Sequence, residues 1–242
     1  MSHSSLKYLC FLASIAGLMT ATAYANVTIY PVKMQINGEN RQRTTTINLH
    51  SSADEAPKNY EVNVYKWTQD ENGNDVLTPD NQLVINPASF VLEPNSKQMI
   101  RMGFKQSISE MNLQNEEAWR IKISPLPDAK KSNGIKYTYG FNIPMFAGKD
   151  FKPDMSFHLA KKTNNQSFIN AKNLGTGHFQ IIGFTLQDSS GNSIFKSNEM
   201  KYVLAHQQVQ LNIPAFKPQP GLKLILDTAD AKSLKFDIAE QE

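Results

Sequence analysis

The residue types that carry catalysis are present in this chain, but not at catalytic spacings. Beyond the N-terminal segment the histidines are His50, His158, His178 and His206, and no two stand at zinc-ligand spacing. There is no His-Glu-x-x-His, no G-x-S-x-G elbow and no phosphate-binding P-loop. Gly175-x-Gly177 lacks the third glycine and the following helix pattern that a dinucleotide site needs. The acidic run DENGND at 70–75 lacks the loop length and closing glutamate of a calcium site, and its central Asn-Gly reads as a hairpin turn. Each histidine therefore reads as a surface or turn residue. The expectation is a protein that is not an enzyme, with no metal and no cofactor.

The more telling residues are apolar. Tyr137, Tyr139, Phe141, Ile143 and Met145 alternate with Thr138, Gly140, Asn142 and Pro144. In a strand this alternation sends the large groups to one face and the small or polar ones to the other. Such a row is either an ordinary core strand or a surface meant for a partner. Pro144 favours an edge position, because proline cannot donate to a central ladder. The preceding segment, 128–134, is polar and reads as a loop reaching an exposed edge. An edge carrying a bulky apolar row is an aggregation hazard unless something covers it.

The elements that must position this row are strands. Helix signals are scarce, and strand signals recur about every ten residues, as in all-β sandwiches. Val27-Thr28-Ile29-Tyr30, residues 44–49, Tyr60-x-Val62-x-Val64, Leu83-Val84-Ile85, Phe90-x-Leu92 and residues 99–104 form the series. Phe90-x-Leu92-x-Pro94 and Gln98-x-Ile100-Arg101 are two short half-buried strands about a Pro-Asn-Ser turn. Residues 108–115 read either as one helical turn or as a loop. Strands return at 168–171, 179–186, 208–213 and 222–226, with turns at 175–177 and 190–192.

Residues 1–25 read as a secretory leader: Lys7 is the positive start, 9–19 is apolar but too short to span a bilayer, and Ala23-Tyr24-Ala25 fits the cleavage site. The single cysteine, Cys10, lies inside the leader, so the mature chain has neither disulfides nor thiolate metal sites. Leu9 and the polar Ser4-Ser5 do not fit a lipidation signal. The net charge of +3 is too mild to imply a nucleic-acid partner. No later stretch is apolar enough for stable membrane insertion. The break Ala147-Gly148-Lys149-Asp150-Phe151-Lys152-Pro153 follows a strong strand and divides the chain into domains 26–147 and 148–242.

This order of motifs resembles the PapD-like periplasmic chaperones of the chaperone–usher pilus pathway. Val27-Thr28-Ile29-Tyr30-Pro31-Val32-Lys33 is similar to the family's first strand, and Phe90-x-Leu92-x-Pro94…Gln98-x-Ile100-Arg101 to its central motif. The Ile-Tyr-Pro start, Glu117-Ala118-Trp119-Arg120 and Asn142-Ile143-Pro144-Met145-Phe146 look like its non-classical (archaic or alternate) branches. The resemblance implies two immunoglobulin-like β-sandwich domains set as an L. It also implies a donor strand, carrying Tyr137, Tyr139, Phe141, Ile143 and Met145, that is lent to a pilus subunit. Basic cleft residues of the family anchor the subunit's C-terminal carboxylate. Asn142 stands where the classical branch has an anchoring lysine, which leaves Arg101, Arg120 and Lys33 as candidates, in that order. The implied partners are fimbrial subunits and an outer-membrane usher, and the implied compartment is the periplasm. The rival readings are a secreted β-sandwich binding protein or pilus subunit, and an enzyme built on a β-sandwich.

Overall fold

The computed structural model describes residues 27–54, 56–127, 139–161, 167–214, 220–229 and 233–240. The leader segment 1–25 and the loop 128–134 lie outside them. The first half of the chain forms β1 (Val27–Tyr30), β2 (Met34–Ile36), β3 (Thr44–Ser51), β4 (Lys58–Gln69) and β5 (Asp75–Pro79). It continues through β6 (Leu83–Asn86), β7 (Ser89–Leu92), β8 (Lys97–Phe104), β9 (Glu117–Pro125) and β10 (Phe141–Ala147). The second half contributes β11 (Met155–Lys161), β12 (Ser167–Asn173), β13 (Phe179–Gln187), β14 (Ser193–Ser197) and β15 (Lys201–Val203). The last strands are β16 (Gln208–Ile213), β17 (Lys223–Thr228), β18 (Ser233–Asp237) and β19 (Ala239–Glu240).

These strands make two immunoglobulin-like sandwiches. In the first, the sheet β1-β3-β8-β6 faces the sheet β2-β10-β9-β4-β5, with β7 paired to β4. Alternation explains the packing. Ile47, Leu49, Ile100 and Met102 from one sheet meet Val62, Val64, Trp119, Ile121 and Ile123 from the other in a single core. In the second, the sheet β16-β12-β11-β19 faces β14-β13-β17-β18, with β15 paired to β13. Its core holds Ile169, Ala171, Phe184, Leu186, Leu211, Leu224 and Leu226.

β7 and β8 flank the expected turn but do not pair with each other. β7 joins β4 and β8 joins β3 and β6, so the chain changes sheet at Pro94-Asn95-Ser96. Residues 108–112 are turns rather than a helix, pinned by buried Ile108. β14 and β18 carry a weak sequence signal because no residue of either is fully buried.

A third apolar cluster joins the two sandwiches: Trp67, Ala118 and Phe146 from the first half and Tyr202 and Leu204 from the second. Buried Gln69 ties it together, donating to the Tyr202 carbonyl at 2.8 Å and accepting from the Leu204 N–H at 3.0 Å. Glu116 accepts from the His178 backbone N–H and pairs with the His178 ring, which stacks on Phe146 at 3.6 Å. His178 is therefore no surface residue, contrary to the sequence expectation. It joins the two sandwiches, and its role depends on a carboxylate 62 positions away.

Candidate functional site

Of the expected partner-binding row, Phe141, Ile143 and Met145 fall on β10, and Tyr139 lies just before it. This strand pairs with β9 along its whole length, from Phe141↔Ile123 to Ala147↔Glu117. On its other side β2 pairs only with Met145, Phe146 and Ala147. Among the described residues, 141–144 thus have a neighbouring strand on one side only, and Pro144 sits in that half-paired stretch. An unpaired strand segment presents main-chain N–H and C=O groups to any strand laid beside it.

The side chains require a correction. Tyr139 is 79 % exposed, but Ile143 is 6 % exposed and Met145 is fully buried. Both belong to the core of the first sandwich, and Phe141 packs against it half-buried. The reason is the pleat: the face carrying Phe141, Ile143 and Met145 is the one turned toward the opposing sheet. Tyr137 lies outside the described residues. What β10 leaves open is Tyr139, part of Phe141 and the backbone edge.

The opposite face of this sheet carries the cations. Arg120 and Lys122 are two residues apart on β9, flanking the inward-facing Ile121. Their register partners on β10 are Pro144 and Asn142, within the half-paired segment. Arg120 is 13 % exposed. Its guanidinium lies 3.6 Å from the Trp67 ring centre and 5.5 Å from that of Tyr202. It pairs with Asp75 at 3.5 Å, and its buried Nε has no hydrogen-bond partner among the described residues. Burial depresses its pKa from the ordinary value and Asp75 opposes that shift. Burial likewise raises the Tyr202 hydroxyl, with Arg120 opposing. Lys122 stands 4.7 Å above the Tyr65 ring.

Arg101 and Arg120 are not brought together, whereas Lys33 immediately precedes Met34, the register partner of Met145 on β10. Arg101 lies on β8, exposed, with its guanidinium donating to Thr44 Oγ1 at 3.0 Å. It points out of the other sheet, so the core separates it from Arg120 and the two cannot form one anchor. Lys33 is exposed in the bend just before β2. Lys122 was missed in the sequence, although a charge at period 2 beside Arg120 was there to be read. Trp67 and Tyr202 were missed because nothing local marks a strand aromatic as part of a junction. Among the described residues no group of three or more histidine, cysteine or acidic side chains could hold a metal ion. Among the same residues no helix is long and apolar enough to cross a membrane.

Two immunoglobulin-like sandwiches, the first ending in a half-paired strand beside two cations, define a protein of the pilus-chaperone fold. The chain belongs to the pili and flagellar-assembly chaperone family, whose PapD N-terminal domain profile matches residues 26–149. That family is a non-enzymatic, chaperone class. No curated protein sequence matches the chain. Solved structures match its fold over nearly its whole length. The pre-assembly complex of chaperone CsuC and tip subunit CsuE, from the archaic Csu pili of Acinetobacter baumannii, matches with TM-score 0.68 and 20 % identity, covering 90 % of this chain and 100 % of that one. The E. coli chaperone DraB matches with TM-score 0.59 and 13 % identity, covering 89 % and 98 %. The SafA pilin–SafB chaperone complex of Salmonella enterica matches with TM-score 0.58 and 14 % identity, covering 90 % and 97 %.

Proposed function

We propose that this protein is a periplasmic chaperone that captures pilus subunits by strand donation and hands them to an outer-membrane usher. One observation carries the reading: the half-paired segment of β10, residues 141–144, lies in register with Arg120 and Lys122 of β9. A subunit strand added along that edge gains main-chain hydrogen bonds, with Tyr139 and the exposed part of Phe141 supplying apolar contact. Its C-terminal carboxylate then meets the two cations, which fix how far along the edge it slides. Strand addition alone leaves register weakly specified, so a charge anchor is the missing determinant. Lys122 supplies a compact point charge, while Arg120 supplies the oriented planar fork. Secretion through cleavage after Ala25 places the protein where subunits emerge.

The test is co-expression with candidate subunits and co-purification from periplasm. Removing one member of a desolvated charge pair costs about 2–5 kcal/mol, so Lys122→Ala should cut subunit recovery, and Arg120→Ala with Lys122→Ala should abolish it. The Lys122→Ala protein should melt close to wild type, since Lys122 lies on the outer face of its sheet, half-buried over Tyr65. Undiminished recovery from the double variant would remove the anchor; recovery lost only in unfolded protein would remove it too.

A further inference from the structure

The Arg120 side chain is held by residues from both halves of the chain. Trp67, from β4, forms one flank at 3.6 Å; Tyr202, from β15, stands at 5.5 Å and meets Trp67 edge-on, with ring centres 5.3 Å apart. Tyr202 does not drift into this place. Its carbonyl accepts from Gln69 Nε2, and the same amide donates to Asp75 Oδ1 at 3.3 Å. Asp75 Oδ2 is in turn the ionic partner of Arg120. One buried glutamine thus fixes both the aromatic flank and the carboxylate that bracket the guanidinium.

We infer that Tyr202 is a positioning residue for the carboxylate anchor, so that the second sandwich completes a binding site whose strand and cations lie in the first. The inference rests on Arg120 being part of that anchor. The physical argument concerns freedom. A free arginine loses much of its rotamer freedom when it grips a ligand. Packing between two rings and an ion pair spends that entropy in advance. A guanidinium held over an aromatic face also keeps its N–H edges pointing outward in the plane of the fork, where a carboxylate can meet them. With Tyr202 removed, the Trp67 stack remains but one wall is lost, and Arg120 can swing toward Asp75.

The experiment measures preference rather than binding alone. A synthetic peptide carrying the captured subunit's last strand is prepared as free acid and as C-terminal amide, and each is titrated into the full chain. Wild type should prefer the acid by at least about tenfold, as expected for a desolvated charge pair. Tyr202→Ala should reduce that preference to about threefold or less, the loss of one cation–π flank. Its affinity for the amide should stay the same, because the β10 edge is intact. Tyr202→Phe should restore the acid preference, since the ring and not the hydroxyl does the holding. A Tyr202→Ala protein that keeps the full acid preference overturns the inference. So does equal loss of acid and amide binding, which would mean that Tyr202 only holds the fold. If Arg120→Ala keeps the preference instead, the anchor reading fails first, and the two failures are told apart.

Discussion

The two sandwiches each contain the same five-residue hairpin turn, and they use it differently. In the first it is Asp70-Glu71-Asn72-Gly73-Asn74, joining β4 to β5; in the second it is Asp188-Ser189-Ser190-Gly191-Asn192, joining β13 to β14. Four bonds match one for one. Asp70 N–H donates to the Asn74 carbonyl at 3.0 Å, and Gly73 N–H to the Asp70 carbonyl at 2.9 Å. The Asn74 backbone and side-chain amides donate to the Asp70 carboxylate at 2.8 and 2.9 Å. In the second turn the corresponding distances are 3.0, 3.1, 2.8 and 2.9 Å. Gly73 and Gly191 both have positive φ, 79° and 87°.

What surrounds them differs. A Cβ on Gly73 would come within 2.6 Å of the Gln208 carbonyl oxygen and 2.7 Å of Val209 Cα, so the first turn presses its backbone against β16 of the other sandwich. Gln208 Nε2 also donates to the Glu71 carbonyl at 3.2 Å. A Cβ on Gly191 would meet none of the described residues within 4 Å. One local motif therefore serves as a plain loop in one place and as part of the junction between sandwiches in the other. The difference teaches that turn chemistry is encoded within five residues, whereas its use is decided by residues more than a hundred positions away.

The largest expected effect separates the two glycines. Gly73→Ala adds left-handed strain of about 1–2 kcal/mol and an overpacked backbone contact of about 1–3 kcal/mol. It should lower stability by about 2–5 kcal/mol in calorimetric melting. Because the clash lies at the junction, it should also weaken the contact between sandwiches, read as faster proteolysis of the 148–154 connection. A Gly73→Ala protein as stable as wild type would mean that the turn does not bear on β16.

The second effect is smaller. Gly191→Ala meets the same φ penalty with no contact to overcome, so its loss should be about 1–2 kcal/mol. The 148–154 connection should resist proteolysis as in wild type. If the two alanine variants lose the same amount, the junction contact contributes nothing, and the comparison collapses to local strain.

The same contrast marks how far the sequence could be read. Where a strand lies, and which of its residues share a face, follows from alternation: Tyr60, Val62 and Val64 are buried while Glu61 is exposed, as their period of two requires. Both turns stand out by their Gly and Asn residues. The site is harder. Arg101 and Arg120 both sit in alternating strands after an inward apolar residue, and nothing local says that their strands belong to opposite sheets. β10 looked like an open apolar row, and its backbone edge is half-paired. Its side chains Ile143 and Met145 nevertheless fill the core, because alternation tells which residues share a face but not which way that face turns. His178 looked like a turn residue because Glu116 and Phe146, its partners, are distant in the chain.

The smallest effect is a pH dependence that the two turns should share. The Asp70 and Asp188 carboxyls are held below the ordinary carboxylate value, first by the side-chain hydrogen bonds from Asn74 and Asn192 and then by their backbone N–H groups. In the unfolded chain each returns to about 3.9. The unfolded chain therefore binds more protons than the folded one between the folded value and the ordinary one, and acid favours unfolding there. The contribution is fully present above the ordinary carboxylate range and is lost as pH falls through the folded value. Asn74→Ala and Asn192→Ala each remove the largest cause of the shift. At neutral pH each should sit slightly below wild type in its urea midpoint, and the gap should close as pH drops below about 3.9. Both carboxylates face solvent, so salt should shrink the gap as well. The gaps should be alike, because the bonds are alike and only the surroundings of the glycines differ. A gap that persists unchanged in acid would mean that the asparagines stabilise the turns through packing or backbone geometry rather than through charge.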